Sequence, residues 1–149
     1  MASIPQTELF CWDQVDAASD LQRLHMVLAV LPDEELMRTL EAERKGRRDD
    51  YPIRAVWNSV VAGIVFEHKS PESLRRELRR NAELRQVCGF DVFRGSEAVP
   101  SPSVYSRFFR KLFQHFKLVD EMVEDLVRDL TRELPDLGTR LAVDSKALH

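Results

Sequence analysis

Pro100-Ser-Pro-Ser-Val-Tyr-Ser-Arg-Phe-Phe-Arg-Lys-Leu-Phe-Gln-His-Phe116 joins a short turn to a segment that is cationic and aromatic at once. At about 100° per residue, Val104, Tyr105, Phe108, Phe109, Leu112, Phe113 and Phe116 fall on one half of a helix. Ser103, Ser106, Arg107, Arg110, Lys111, Gln114 and Lys117 fall on the other. The apolar half is expected to be buried against a helical bundle. The other half carries what a helix needs to enter a DNA groove, namely cations and hydrogen-bonding side chains. The same pattern also fits an ordinary amphipathic helix whose basic face meets only water.

Outward from this stretch, the chain reads as all-α. Leu21, Leu24, Val27, Leu28 and Leu31 lie at helical spacing, with Ser19 or Asp16 as N-cap and Pro32 as the stop. Asp33, Glu34 and Glu35 open a second helix with negative charge in its first turn, where the macrodipole favours it, and Leu36, Met37 and Leu40 form its apolar stripe. Glu43 to Asp50 is a charged run with one glycine, read as a solvated connection; its four cations reach phosphate only if the fold brings them round. Pro52 suits the first turn of a third helix, apolar on most sides from Ile53 to Phe66 and expected at the centre of the bundle. Its small residues Ala55, Ser59, Ala62 and Gly63 make a strip for close helix approach, whereas Val60 and Ile64 are expected in the core.

Ser70-Pro71 opens a fourth helix with Leu74 and Leu78 inward and Arg75, Arg76, Arg79 and Arg80 mostly outward. Glu72 and Glu77 are spaced to pair with Arg76 and Arg80. Asn81 caps a further short helix that Gly89 ends, with Cys88 as core filler. A loop with a turn at Arg94-Gly95 leads to the basic-aromatic helix, which Ser101 or Ser103 caps. A last helix from about Leu118 to Glu133 carries Met122, Leu126, Val127 and Leu130 on one stripe. The expected fold is a bundle of six or seven helices with a helix-turn-helix-like element. Leu141-Ala-Val143 then reads as the start of a buried strand; one strand alone makes no sheet, so either it lies on the helical domain of residues 1–138 or residues 139–149 begin another domain.

Composition agrees with a folded domain. At 149 residues, with five Gly and seven Pro, the chain is neither low-complexity nor disordered. The leader lacks a signal-peptide pattern and the most apolar stretch is short and interrupted by Asn58 and Ser59, so a cytoplasmic protein with no membrane partner is expected. Cys11 and Cys88 have no companions at zinc or redox spacing, and the four histidines are scattered. The net charge of −3 hides an asymmetry: residues 1–43 carry −7, residues 44–117 carry +8, and residues 118–149 carry −4. A basic centre between acidic ends points to a polyanion partner.

Tyr51-Pro-Ile-Arg-Ala-Val-Trp-Asn-Ser59, Ser73-Leu-Arg-Arg-Glu-Leu78, Asn81 with Leu84-Arg85 and Cys88-Gly-Phe90, and Pro100 to Phe108 occur in an order and spacing that resembles the helical N-terminal (InsH-type) domain of bacterial insertion-sequence transposases. Leu141-Ala-Val-Asp-Ser-Lys-Ala147 is similar to the first strand of the RNase H-like catalytic domain in the same enzymes. The resemblance implies a catalytic domain in which three carboxylates hold two Mg2+ ions for DNA strand cleavage and transfer, and Asp144 matches the first of them. The second Asp and the Glu are not in the sequence, which continues only five residues past Asp144, so a truncated, non-catalytic portion is expected.

Double-stranded DNA at transposon terminal inverted repeats is then the implied partner. Arg107, Arg110, Lys111 and Gln114 are the expected groove contacts, and Ser103 and Ser106 the expected phosphate contacts. Arg75, Arg76, Arg79 and Arg80 would lie along the backbone. Two alternatives stand beside this. One is a protein-interaction or dimerisation module in which Arg75 to Arg80 meet the acidic Glu121, Glu124 and Asp125 region within or between chains. The other is a non-catalytic remnant that competes for transposon ends.

Overall fold

Seven α-helices and one 3₁₀ segment make up the computed structural model, which describes residues 19–45, 51–136 and 138–139. The helices are α1 (Asp20–Val30), α2 (Glu34–Ala42), α3 (Ile53–Val65), α4 (Pro71–Arg80), α5 (Ala82–Cys88), α6 (Pro102–Gln114) and α7 (Phe116–Glu133), with the 3₁₀ segment Val92–Ala98 before α6. No strand occurs among the described residues. The expected strand at Leu141 to Val143, and Asp144 with it, lie outside them. No helix among the described residues is long and apolar enough to cross a membrane.

The ends follow local chemistry. Ser19 accepts from the Gln22 backbone N–H at 3.2 Å and starts α1, and Leu31, extended ahead of Pro32, ends it. Ser70 caps α4 through the Ser73 N–H at 3.2 Å, with Pro71 at the first helical position. Asn81 is at once the C-cap of α4 and the N-cap of α5, its Oδ1 accepting from the Leu84 N–H at 3.0 Å. Gly89, at φ 95°, closes α5 in the left-handed conformation, with Phe90 N–H bonded to Arg85 O and Gly89 N–H to Gln86 O, both at 3.0 Å.

α3 is the central helix. It buries Ala55, Val56, Trp57, Ser59, Val61 and Ala62 and packs against α1, α2, α4 and α5. The small-residue strip works as the spacing predicts: a Cβ on Gly63 would come within 3.3 Å of Leu74 Cδ2, so α4 crosses there with no room to spare. α6 packs on α4 and α7, and α7 packs on α2 and α6. The core is one cluster from Leu24 to Met122 that includes Leu36, Leu40, Leu74, Leu78, Leu84, Cys88, Tyr105 and Phe108.

Three polar groups are built into this core. Asp33 is buried, and instead of capping α2 it accepts from Arg54 Nη1 at 2.6 Å and Trp57 Nε1 at 2.7 Å, which ties α2 to α3. Ser59 and Tyr105 share a hydroxyl–hydroxyl bond of 2.8 Å between α3 and α6. Arg85 is buried and donates through Nη1 to the Leu78 and Arg79 carbonyls, each at 2.8 Å, serving the open C-terminal end of α4.

Several sequence expectations are corrected. Ile64, expected in the core, is 72% exposed, because the last turn of α3 emerges between the start of α4 and α6. Phe113 and Phe116 are 71% and 57% exposed: α6 is gripped through Tyr105 and Phe108 and ends at Gln114, so Phe116 opens α7 and does not extend the apolar stripe of α6. On α7 only Met122 is fully buried, while Val127 and Leu130 face solvent. At 18 residues, about 27 Å long, α7 outruns the bundle. Glu77 pairs with Arg80 as expected, but Glu72 makes no ion pair with Arg76. The 13-residue link from Gly89 to Ser101, with its 3₁₀ segment, also replaces the three- or four-residue turn that a helix-turn-helix needs before α6.

Candidate nucleic-acid interface

The rotation of α6 is set by Tyr105 and Phe108, which are buried, with Val104, Phe109 and Leu112 half-buried beside them. Opposite them the helix presents Ser103, Ser106, Arg110 and Gln114 as an exposed crest, with exposed Arg107 on one shoulder. Ser101 occupies the N-cap without a capping bond, and its hydroxyl pairs with that of Ser103 at 2.9 Å. No acidic residue occurs between Glu97 and Asp120. Arg107 and Arg110 therefore have no carboxylate on their own helix, and neither forms an ion pair or hydrogen bond with another side chain among the described residues. On α7, by contrast, Lys117, Arg128 and Arg132 each meet a carboxylate within the helix.

The arginines of α4 divide. Arg75 is half-buried and donates through Nε to the Pro100 carbonyl at 2.8 Å, so it anchors the approach to α6. Arg80 donates through Nε to Glu77 Oε2 at 2.6 Å. Arg76 and Arg79 are exposed and, among the described residues, without ion pairs. The set read from sequence as one backbone-tracking row thus holds one structural residue, one locally paired residue and two unpaired ones.

A second feature escaped the sequence reading. Between the end of α2, the start of α3 and the Arg107 shoulder of α6 lies a cleft of about 470 Å³, lined by Arg44, Lys45, Tyr51, Arg107 and Lys111 over an apolar floor that includes Val56 and Phe108. The fold thereby brings round two cations of the run that read as a solvated connection. Glu43 holds the arrangement: its backbone carbonyl accepts from Lys111 Nζ at 3.3 Å, and its carboxylate lies 2.8 Å from His115 Nε2, off the line of a hydrogen bond. Arg94 stands 5.7 Å from the Tyr51 ring centroid, adding a guanidinium next to the cleft. Only the long-range packing of α2 on α3 and of α7 on α2 makes these segments neighbours, and no local sequence signal encodes that.

Among the described residues, no His, Cys, Asp or Glu side chains form a group of three able to hold an ion, and Asp144 lies outside them, so no step through Mg2+ is derived. Cys88 is buried, with burial pushing its thiol up to about 12, as suits a core side chain and not a nucleophile.

The bundle thus presents a basic helix without a carboxylate of its own beside a cleft lined by four cations. The family comparison is specific: residues 12–111 match the Transposase domain (DUF772) family, and the chain belongs to that family. The match takes in α1 and the acidic α2 as well as most of α6, and stops short of α7 and of the segment after Leu141. Neither the curated proteins nor the solved structures gave a match.

Proposed function

We propose that this chain is the DNA-binding portion of an insertion-sequence transposase, which docks α6 in the major groove of transposon-end DNA. The observation that carries the reading is the state of Arg107 and Arg110: exposed, without carboxylate partners among the described residues, and on a helix whose opposite side is locked into the core. An unneutralised cationic ridge is stable in water but gains most against phosphate and base edges. Arg110 and Gln114 serve as groove contacts, Arg107 and Lys111 face a flanking strand from the shoulder of α6, Ser103 and Ser106 serve as phosphate contacts near the helix start, and Arg76 and Arg79 as flanking cations. Arg75 acts through Pro100 and Arg80 is held by Glu77, so they contribute less to DNA than the sequence implies.

Fluorescence anisotropy on the terminal inverted repeats of the parent element, set against random duplex, tests this. Binding that weakens steeply with salt, with a preference for the repeats, is the expected result. Equal binding to all duplexes at every salt concentration removes the sequence-recognition claim.

A second reading has its own support. Val123, Val127, Leu130 and Leu134 are each about half exposed and recur every three or four residues along the outer part of α7, the pattern of a face that meets another helix. A homodimer or a neighbouring domain would cover it. Sedimentation of the wild type and of Val127→Asp with Leu130→Asp checks this, because a monomeric wild type excludes the homodimer.

A further inference from the structure

We infer that the cleft between the end of α2 and α6 is a separate binding site for the sugar–phosphate backbone of duplex DNA, one that sets the docking register of α6 without reading sequence. The inference rests on the DNA-binding proposal and deepens it. Its basis is the convergence of Arg44 and Lys45, from the turn after α2, with Arg107 and Lys111 of α6 around one opening of about 470 Å³. Among the described residues, no acidic side chain lines that opening. Glu43, which directly precedes Arg44, is turned to His115. Four cations around one concavity attract a polyanion more strongly than the same charges spread over a convex surface, because the low-dielectric walls focus the field.

The shape argues for backbone and not for bases. Base edges are reached by a projecting ridge, and the projecting residues of α6 are Ser106, Arg110 and Gln114 on the crest. Arg107 and Lys111 sit lower, on the shoulder that forms one wall of the cleft, and Lys111 is half-buried. With the crest in a groove, the shoulder faces one flanking strand, and Arg44 and Lys45 close over that strand from the other side. Tyr51 lines the same wall and adds a hydroxyl of the kind that contacts phosphate oxygens. Glu43 is a positioning residue here: holding Lys111 through its carbonyl and approaching His115 through its carboxylate, it fixes the Arg44-Lys45 pair relative to α6.

The test is a salt titration of duplex binding by the full chain, comparing wild type with Lys45→Ala, Lys45→Arg and Gln114→Ala. Lys45 and Gln114 are both exposed, so the fold tolerates each change. The expected result is that Lys45→Ala makes the log–log salt slope shallower by about 0.9, the value of one lost phosphate contact, and weakens binding to all duplexes by the same factor. Lys45→Arg restores the slope. Gln114→Ala leaves the slope in place and narrows the preference between repeat and random duplex. If wild type binds DNA and Lys45→Ala leaves affinity and slope unchanged, the cleft is not a backbone site while the DNA-binding proposal stands. If Lys45→Ala narrows sequence preference as Gln114→Ala does, the division of labour is wrong. If wild type binds no duplex, both proposals fall together.

Discussion

Trp57 donates its indole N–H to Asp33 Oδ2 at 2.7 Å across 24 residues of sequence, in a position where the Asp33 side chain is 3% exposed. The other oxygen of that carboxylate takes Arg54 Nη1 at 2.6 Å. One acidic residue thus satisfies a buried indole and neutralises a half-buried guanidinium. Asp33→Ala strands both donors and is expected to cost about 1.5–3 kcal/mol, read as a lower urea midpoint with an unchanged slope. Glu34→Ala removes only an exposed contact to the same arginine at 3.2 Å and should cost less than about 1 kcal/mol.

Arg75 and Arg79 make a second comparison on one helix. Arg75→Ala removes the donor to the Pro100 carbonyl and loosens the entry to α6, so thermal stability falls by about 1 kcal/mol and the salt slope of DNA binding holds. Arg79→Ala, at an exposed position without an ion pair, is expected to do the reverse. Calorimetry and anisotropy on the two variants separate the roles.

Arg85→Ala leaves the Leu78 and Arg79 carbonyls without their donor at the end of α4. The expected loss is about 1–3 kcal/mol. Urea unfolding measures it, and Arg85→Lys is expected to recover only part, because an ammonium lacks the forked geometry of the guanidinium.

High pH should unfold the domain through Cys88 and Tyr105. Burial pushes the Cys88 thiol from 9.0 up to about 12. Burial also pushes the Tyr105 hydroxyl from 10.0 up to about 12, against the opposing hydrogen bond from Ser59. Both values are raised on folding, so the folded state holds these protons more tightly than the unfolded chain. Their stabilisation is complete below about pH 9 and is lost as pH rises towards 12. Urea midpoints at stepped pH values are expected to fall over that window, and Cys88→Ala with Tyr105→Phe should flatten the fall. In the folded protein at pH 8, Cys88 should resist a thiol reagent that labels it after denaturation.

What was legible in the sequence was what neighbours in the chain decide. Ser70-Pro71, Asn81, Gly89 and Pro32 mark their helix ends through local hydrogen bonding and backbone geometry, and the structure places the ends there. The crest of α6 was legible for the same reason, since helical period alone separates Arg110 and Gln114 from Tyr105 and Phe108. Ile64, Phe113 and Val127 misled because periodicity shows which side of a helix is apolar, and only tertiary packing decides how far along the helix a neighbour covers it. The cleft was illegible because Lys45 and Lys111 stand 66 positions apart in the chain. Asp33 was read as a charge for the helix dipole, and its buried partners lie on a different helix.

Because Asn81 ends α4 and begins α5 with nothing between them, that corner has no slack. A single residue inserted there would turn α5 by about 100° and advance it by about 1.5 Å relative to α4. Leu84 and Cys88 would swing out of the core, and Arg85 would lose the two carbonyls it serves. The elbow works as a ratchet tooth with one setting, so length variation within this family domain should collect in the link after Gly89 and leave the α4–α5 corner fixed in length.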